Sequence, residues 1–303
     1  MVSNNEGISK FGAIGVFGRA NAGKSTLINA LVGEKVSIVS SRPQTTRKRV
    51  LGVLTKADAQ LVFCDTPGLH PIRNKLDAFM DNEIRETLKG LEGAIYLIDA
   101  ADPRPLEDAS YIPQIFSEIK GPIFLVVNKI DLLPHDKLSE IAQAFSSLGA
   151  FSGTFFISAT RDKGLRELSA KLFSILPDGP HAYDPDSYTS MSEREIAEEI
   201  IREEILERYY HEVPHSVAVV VEQFKDRENG KTFIEANLII EKEGQKRIII
   251  GENGKEIKAL GIAAREKLNS ILGRDIFLKL WVKVRQNWRK REDWVKFLGY
   301  RPR

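Results

Sequence analysis

The sequence predicts an α/β sandwich, with a mixed and mostly parallel sheet flanked by helices on both faces, followed by a smaller α+β domain. Three observations carry that expectation. Apolar runs of strand length, at Phe11–Phe17, Leu61–Cys64, Ile95–Ile98 and Ile123–Val127, alternate with helical patterns, as strands buried on both faces do. A stretch rich in proline, aspartate and glycine, 177–189 (PDGPHAYDPDSYT), then interrupts the pattern. Beyond it, Val217–Phe224 and Thr232–Glu241 read as two strands joined by a hairpin turn at Glu228-Asn229-Gly230. The expected boundaries are 1–178 for the first domain, 179–192 for a linker and 193–303 for the second domain.

Bulk composition agrees with two domains. The chain has 303 residues, 42% hydrophobic and 28% charged, ordinary values for a globular protein. No run approaches the ~18 apolar residues of a membrane span, so no integral membrane segment is expected. The start, MVSNNEGISK, lacks the apolar core of a signal peptide. The single cysteine, Cys64, lies inside an apolar run and reads as a buried core thiol suited to the cytoplasm. The net charge of +2 is uneven: residues 274–303 hold ten Lys/Arg against three Asp/Glu, and residues 193–212 hold eight Glu against three Arg. A basic tail suggests a polyanionic partner.

The first domain is organised around Gly18-Arg19-Ala20-Asn21-Ala22-Gly23-Lys24-Ser25, which fits G-x-x-x-x-G-K-[ST] between a strand and a helix that begins at Ser25-Thr26. Glycines let the backbone approach a phosphate, and the helix N-terminus aims its N–H groups at it. Lys24 can reach the β- and γ-phosphates, and the Ser25 hydroxyl can ligate Mg²⁺. The polar loop 40–49 follows, whose Thr45 and Thr46 offer hydroxyls to the same ion in the triphosphate state. The strand ending at Asp65 is followed by Thr66-Pro67-Gly68-Leu69, placing Asp65 to hold the metal's water shell and the Gly68 N–H to sense the γ-phosphate.

The base-reading candidates come last. Asn128-Lys129-Ile130-Asp131 follows a buried strand. Asp131 can accept from guanine N1–H and the exocyclic amine, whereas adenine presents an acceptor there and leaves the carboxylate unpaired. Lys129 would lie along the base, and Asn128 would tie this loop to the phosphate loop. Ser158-Ala159 ends a further strand, and the Ala159 N–H is a candidate donor to guanine O6.

In this order GRANAGKS, PQTTR, DTPG, NKID and SA resemble the translation-factor-class GTPases, and PQTTR…DTPGLH resembles the Era-type GTPases of the TrmE-Era-EngA-like group in particular. The resemblance covers nearly the whole chain. It implies a P-loop GTPase with GTP/GDP and Mg²⁺ as ligands, joined to a type II KH domain that binds the 3′ end of small-subunit ribosomal RNA. The implied function is a GTP-hydrolysing switch in 30S subunit maturation. Two alternatives stay open: an RNA chaperone or assembly platform whose nucleotide is structural, and a membrane-associated cell-cycle GTPase whose basic tail makes peripheral contact with the inner membrane. The water-orienting glutamine of Ras-like proteins is replaced by Leu69, which implies slow intrinsic hydrolysis. In related GTPases an asparagine at the place of Asn21 ligates K⁺, and His70 stands where a general base could act. Ala20 and Ala22 replace the usual proline and valine.

In the second domain, Ser192-Glu193-Arg194-Glu195 has capping-box spacing and predicts a helix from Glu193 to about Glu212. This acidic helix is expected to shadow the RNA cleft in one nucleotide state. Arg247–Ile250 reads as a strand by propensity, but the resemblance implies a helix, and the helix is preferred. Gly251-Glu252-Asn253-Gly254 is then the GXXG turn, with Lys255 and Lys258 near a bound backbone. Glu252 is unusual in a turn that receives phosphate. Among the tail's cations and aromatics, Lys283, Arg285 and Trp288 are the candidate RNA contacts.

Overall fold

The structure is a computed structural model that describes residues 9–40, 42, 44–69, 71–102, 113, 117–146, 148–149, 151–227 and 230–301. The chain divides into two compact units. The first comprises residues 1–37, 46–70 and 81–190; the second comprises 38–45, 71–80 and 191–303. The division is therefore not a single cut, because two short segments of the N-terminal half group with the C-terminal half. His70, and Glu228-Asn229 of the expected hairpin turn, lie outside the described residues.

The first unit is built on six strands: β1 (Lys10–Phe17), β2 (Val50–Lys56), β3 (Ala59–Asp65), β4 (Gly93–Asp99), β5 (Ile123–Asn128) and β6 (Gly153–Phe156). Their order is β2-β3-β1-β4-β5-β6. Every neighbouring pair is parallel except β2 with β3. The apolar runs are strands because both of their faces are covered: Ile14, Val16, Leu61, Phe63, Ile95, Leu97, Leu125 and Val127 are all buried. Helices α1 (Lys24–Val32), α3 (His135–Ser146) and α4 (Leu165–Ser174) belong to this unit, and α2 (Lys75–Thr87) contributes its residues from Asp81 onward. Parallel strands align their carboxyl ends on one edge, and here that edge carries Gly18, Asp65, Asp99 and Asn128.

Two features of this unit depart from expectation. Strand β2, unforeseen in the sequence, pairs with β3 through a tight turn in which Ala57 adopts a left-handed φ of 47°. The stretch expected as a linker is held along its length instead. Gln60 accepts from the backbone N–H of Ala182 and Tyr183, and the Val53 N–H donates to the Tyr188 carbonyl.

The second unit has helices α5 (Glu193–Arg208), α6 (Val213–Ser216), α7 (Glu243–Ile250), α8 (Lys255–Leu272) and α9 (Glu292–Phe297). Its sheet runs β7 (Ala218–Asp226), β8 (Thr232–Ile240), β9 (Ile276–Val284), with β7 antiparallel and β9 parallel to β8. The period of two sorts β8: Ile234, Ala236, Leu238 and Ile240 enter the main core with Ile200, Ile201, Ile205 and Leu260, while Phe233 and Glu235 face the other way. The capping box at Ser192 and Glu195 forms, but α5 ends at Arg208, earlier than its pattern predicts. Arg247–Ile250 is helical, as preferred. Of its three isoleucines only Ile249 is fully buried, and Gln245 secures the start by accepting from the Glu241 and Lys242 N–H groups.

The acidic helix is not a solvated face. Glu203 and Glu204 are buried, and Lys267 of α8 reaches Glu203 at 3.3 Å, Glu204 at 2.6 Å and Glu207 at 3.1 Å. Lys267, together with Arg208 on Glu204, offsets part of this charge and ties these carboxylates into the second unit. On the sheet's other face, Ala218 and Ile239 are covered by Leu76, Phe79 and Met80 and by the tail residues Trp288, Val295, Leu298 and Tyr300.

Candidate functional site

The turn after β1 takes its shape from two glycines. Gly18 has φ 148°, and a Cβ there would lie 2.2 Å from the Leu97 carbonyl oxygen; Gly23 has φ 98°, and a Cβ would lie 2.4 Å from Asn128 Nδ2. Ala20 and Asn21 form the outer arc, and Ala22 is buried beneath it. Lys24 Nζ donates to the Gly18 and Arg19 carbonyls at 3.0 and 2.9 Å, curling the ammonium back under the arc. Arg19 is tied outward to Asp102 at 2.8 Å, and Thr26 sits in the first turn of α1. Burial pushes the Lys24 ammonium down to about 8, with Asp65 opposing. A phosphate in the arc favours the charged form.

Three oxygens converge beside this lysine. Ser25 Oγ donates to Asp65 Oδ2 at 2.8 Å, Thr46 Oγ1 donates to the same oxygen at 3.2 Å, and the two hydroxyls lie 3.1 Å apart. Thr45 is not part of this group; its hydroxyl donates to the Arg42 carbonyl at 2.6 Å. Asp65 is fully buried, and its Oδ1 lacks a hydrogen-bond partner. Burial pushes its carboxyl up, opposed by Lys24, by the Ser25 and Thr46 hydroxyls bonded to Oδ2, and by the nearby Ser37 hydroxyl, which closes no hydrogen bond itself among the described residues. One buried carboxylate with an unmatched oxygen beside two hydroxyls fits a hard divalent cation such as Mg²⁺. Thr66 turns away, donating to the Val16 carbonyl at 2.8 Å, and Pro67 is buried. Gly68 lies against the arc, where a Cβ would meet Ala20 N at 2.9 Å. Leu69 is buried, and its N–H reaches the Gly18 carbonyl at 3.4 Å.

The third cluster joins β5, β6 and the phosphate loop through one side chain. Asn128 donates to the Ala22 carbonyl at 2.9 Å and accepts from the Ala159 N–H at 3.1 Å. The Ala159 N–H, expected to serve guanine O6, is therefore already engaged, and a base has to share it. Lys129, in left-handed conformation, donates to the Asn21 carbonyl at 3.0 Å and to Asp99 at 2.6 Å, so Asp99 holds the lysine that would lie along a base. Asp99 carries no recognisable motif and was not singled out from the sequence. The Ser158 hydroxyl holds the Asp131 carboxyl below the usual range, and Arg161 lies 3.3 Å from it.

In the second unit, α7 ends at Gly251 (φ 69°), where a Cβ would stand 2.5 Å from Glu256 Cγ. Glu252 and Asn253 form an exposed turn, and Gly254 (φ 75°) starts α8. Beside it a groove of ≈330 Å³ runs between α8 and β9, with Ile257, Ile262 and Leu280 as apolar lining and Lys258, Arg265 and Lys279 as cations. Lys255 stands exposed at the turn, and Lys283 and Arg285 lie exposed at the end of β9 and just beyond it. Trp288 overturns its expected role. It is 0% exposed, its indole N–H donates to the Ser216 carbonyl at 2.7 Å, and its ring stacks on Tyr300. A ring closed off on every side cannot receive a base. Among the described residues no helix is long and apolar enough to cross a membrane.

Comparison with known proteins places these features together. Residues 13–129 match the family described as 50S ribosome-binding GTPase, and residues 212–289 match the KH domain. The chain is 43% identical over 289 residues to GTPase Era of Lacticaseibacillus paracasei, covering 95% of this chain and 96% of that protein. It is 41% identical to GTPase Era of Carboxydothermus hydrogenoformans over 96% of this chain and 98% of that one. Its fold matches the crystal structure of an Aquifex aeolicus Era variant bound to GDP and aluminium fluoride, with TM-score 0.92, 34% identity and coverage of 96% and 99%. It matches equally, at TM-score 0.92 and 33% identity, Era in complex with MgGDPNP and nucleotides 1506–1542 of 16S ribosomal RNA, again covering 96% and 99%. A phosphate loop, an Asp-Thr-Pro-Gly strand end and an Asn-Lys-Ile-Asp loop on one sheet edge, followed by a KH unit, make this chain a member of the Era family of GTP-hydrolysing switches.

Proposed function

We propose that this GTPase binds small-subunit ribosomal RNA near its 3′ end in the groove beside Gly251–Gly254 and assists 30S subunit maturation, with the nucleotide setting when the RNA is held. One observation carries the reading. Segments 38–45 and 71–80 belong to the same compact unit as the KH fold, and they adjoin Thr46 and Gly68 in the chain. Segment 38–45 is fastened there: the Val39 N–H donates to Glu203 at 3.0 Å, the buried Arg202 donates to the Thr45 carbonyl, and Gln44 donates to Asp77 at 2.9 Å. A γ-phosphate that draws in Thr46 and Gly68 thus acts one peptide bond from Thr45, which supports transmission between nucleotide and RNA.

In this reading the backbone N–H groups of 18–24 and the Lys24 ammonium hold the β- and γ-phosphates, and Asp131 selects guanine. Ser25, Thr46 and Asp65 would hold Mg²⁺, which when bound supplies positive charge to the phosphate oxygens. Leu69 has no polar group to orient water, so intrinsic hydrolysis is slow. Asn21, on the outer arc of the loop, is the proposed ligand for K⁺; identical turnover in sodium and potassium buffers would remove that assignment.

The test is a titration of single-stranded RNA ending in the small-subunit 3′ sequence against the GTP-analogue form, the GDP form and Gly254→Asp, where Asp adds negative charge and strains a left-handed φ of 75°. Affinity should rank the GTP-analogue form first and the variant last. Equal affinity in all three refutes the switch. A liposome flotation assay with anionic lipid, run with and without RNA, addresses peripheral contact of the basic tail with the inner membrane.

A further inference from the structure

Strand β9 is an edge strand with two working faces. Leu278 and Leu280 line the groove, and Phe277, Lys279, Trp281 and Lys283 alternate with them on the other side, with Lys279 also bordering the groove. That other side is the outer face of the sheet, and it is divided. One half, around Ala218 and Ile239, lies under the C-terminal tail and residues 76–80. The other half is open, yet it carries large rings: Phe277 is 51% exposed and Trp281 is 48% exposed.

The rings are arranged among cations. Phe233 and Phe277, directly opposite in register, stack at 5.8 Å, and the Arg227 guanidinium lies 4.4 and 5.3 Å from their centroids. Lys279 sits 4.6 Å from the Trp281 ring. Glu235 supplies the nearest negative charge, and it is engaged by the Trp281 indole N–H at 2.6 Å, Lys279 at 3.3 Å and Gln223 at 2.9 Å. The carboxylate is thereby neutralised and fixes the indole by its edge, which lowers the entropic cost of using the ring as a platform. After the Trp281 N–H, Lys283 adds to the positive charge that holds the Glu235 carboxyl low, and the Arg227 guanidinium stays over the two phenylalanine rings.

We propose that this open half-face is a second single-stranded RNA subsite, a stacking platform on which nucleotides leaving the KH groove cross the β9 edge and lie on Trp281 and Phe277. The inference rests on the RNA reading of the groove and extends it. A groove of this kind takes about four unstacked bases. Continuity is provided by Lys279, which borders the groove and also stands over Trp281. Exposed aromatics on a sheet with interleaved cations bind unpaired bases in other sheet-platform modules, because every base offers a π-face and the cations neutralise the backbone.

The experiment uses the full chain in its GTP-analogue form and two RNAs: a short one that fills only the groove, and the same sequence extended by six nucleotides at both ends. The wild type should bind the extended RNA more tightly. In Phe277→Ala/Trp281→Ala the short RNA should bind as before, while the extended RNA loses about tenfold or more, the worth of one or two stacked bases. In Trp281→Phe, which keeps a ring, affinity for the extended RNA should be largely retained, and the quenching of indole emission that this RNA produces in wild type should disappear. Unchanged affinity of the double variant for extended RNA overturns the platform, and so does an equal loss on both RNAs. Gly254→Asp separates the underlying reading: if it leaves short-RNA binding intact, the groove assignment fails whatever the platform does.

Discussion

Replacing Arg202 by alanine removes one of the three groups that fasten segment 38–45, beside Glu203 and Asp77. The guanidinium is 1% exposed, donates to the Thr45 and Gln44 carbonyls and pairs with Glu199. Taking one partner from a buried ion pair destabilises by about 3–5 kcal/mol, and an orphaned buried carbonyl adds about 1–3 kcal/mol. Glu199 is 27% exposed, so water reaches the carboxylate and the lower figure, about 3 kcal/mol, is expected. All three tryptophans, Trp281, Trp288 and Trp294, belong to the second unit. Urea unfolding followed by indole emission therefore reports that unit alone, and the midpoint should fall without a change in slope. Arg202→Ala should also shrink the difference in RNA affinity between the GTP-analogue and GDP forms. A loss below about 1 kcal/mol, with nucleotide dependence intact, would refute the role given to this fastening.

Other consequences are equally direct. Lys267→Met leaves Glu203 and Glu204 buried beside an apolar chain and should destabilise the second unit by about 3 kcal/mol in the same urea assay. Burial pushes the Tyr209 hydroxyl up to about 12, so its contribution to stability is complete below pH ~10 and is lost as pH rises toward 12; absorbance at alkaline pH should show one tyrosine ionising late. Asp65→Asn removes a buried charge whose Oδ1 is unmatched, so thermal stability without nucleotide should hold or rise while Mg²⁺-dependent GTP binding falls at least tenfold. Asp131→Asn exchanges an acceptor for a donor facing the base, and a competition assay should show guanine nucleotides losing to xanthine nucleotides.

How much could be read in advance follows from what kind of signal each residue leaves. Gly18, Lys24, Asp65 and Asn128 stand at fixed spacings beside buried strands, and their chemistry needs those residue types, so sequence alone located them. Strand β2 was missed because its pairing depends on β3 and on a left-handed turn at Ala57, neither of which leaves a hairpin signature. Trp288 was misread because an aromatic among arginines looks the same whether its ring is stacked outward or packed on Tyr300. Arg202, Gln44 and Asp77 were invisible for a different reason. They meet from three separate stretches of chain, and only the folded second unit shows that the segment preceding Thr46 in the chain is fastened to α5.

Linkage supplies the most direct test of the account. If RNA prefers the GTP-bound form, RNA must tighten the GTP analogue relative to GDP by the same factor, with coupling of this kind typically about 5- to 150-fold. The measurement is the ratio of the two nucleotide affinities with and without saturating small-subunit 3′ RNA. A shift of at least about fivefold in favour of the GTP analogue is predicted. A ratio unmoved by RNA that is demonstrably bound would contradict the account.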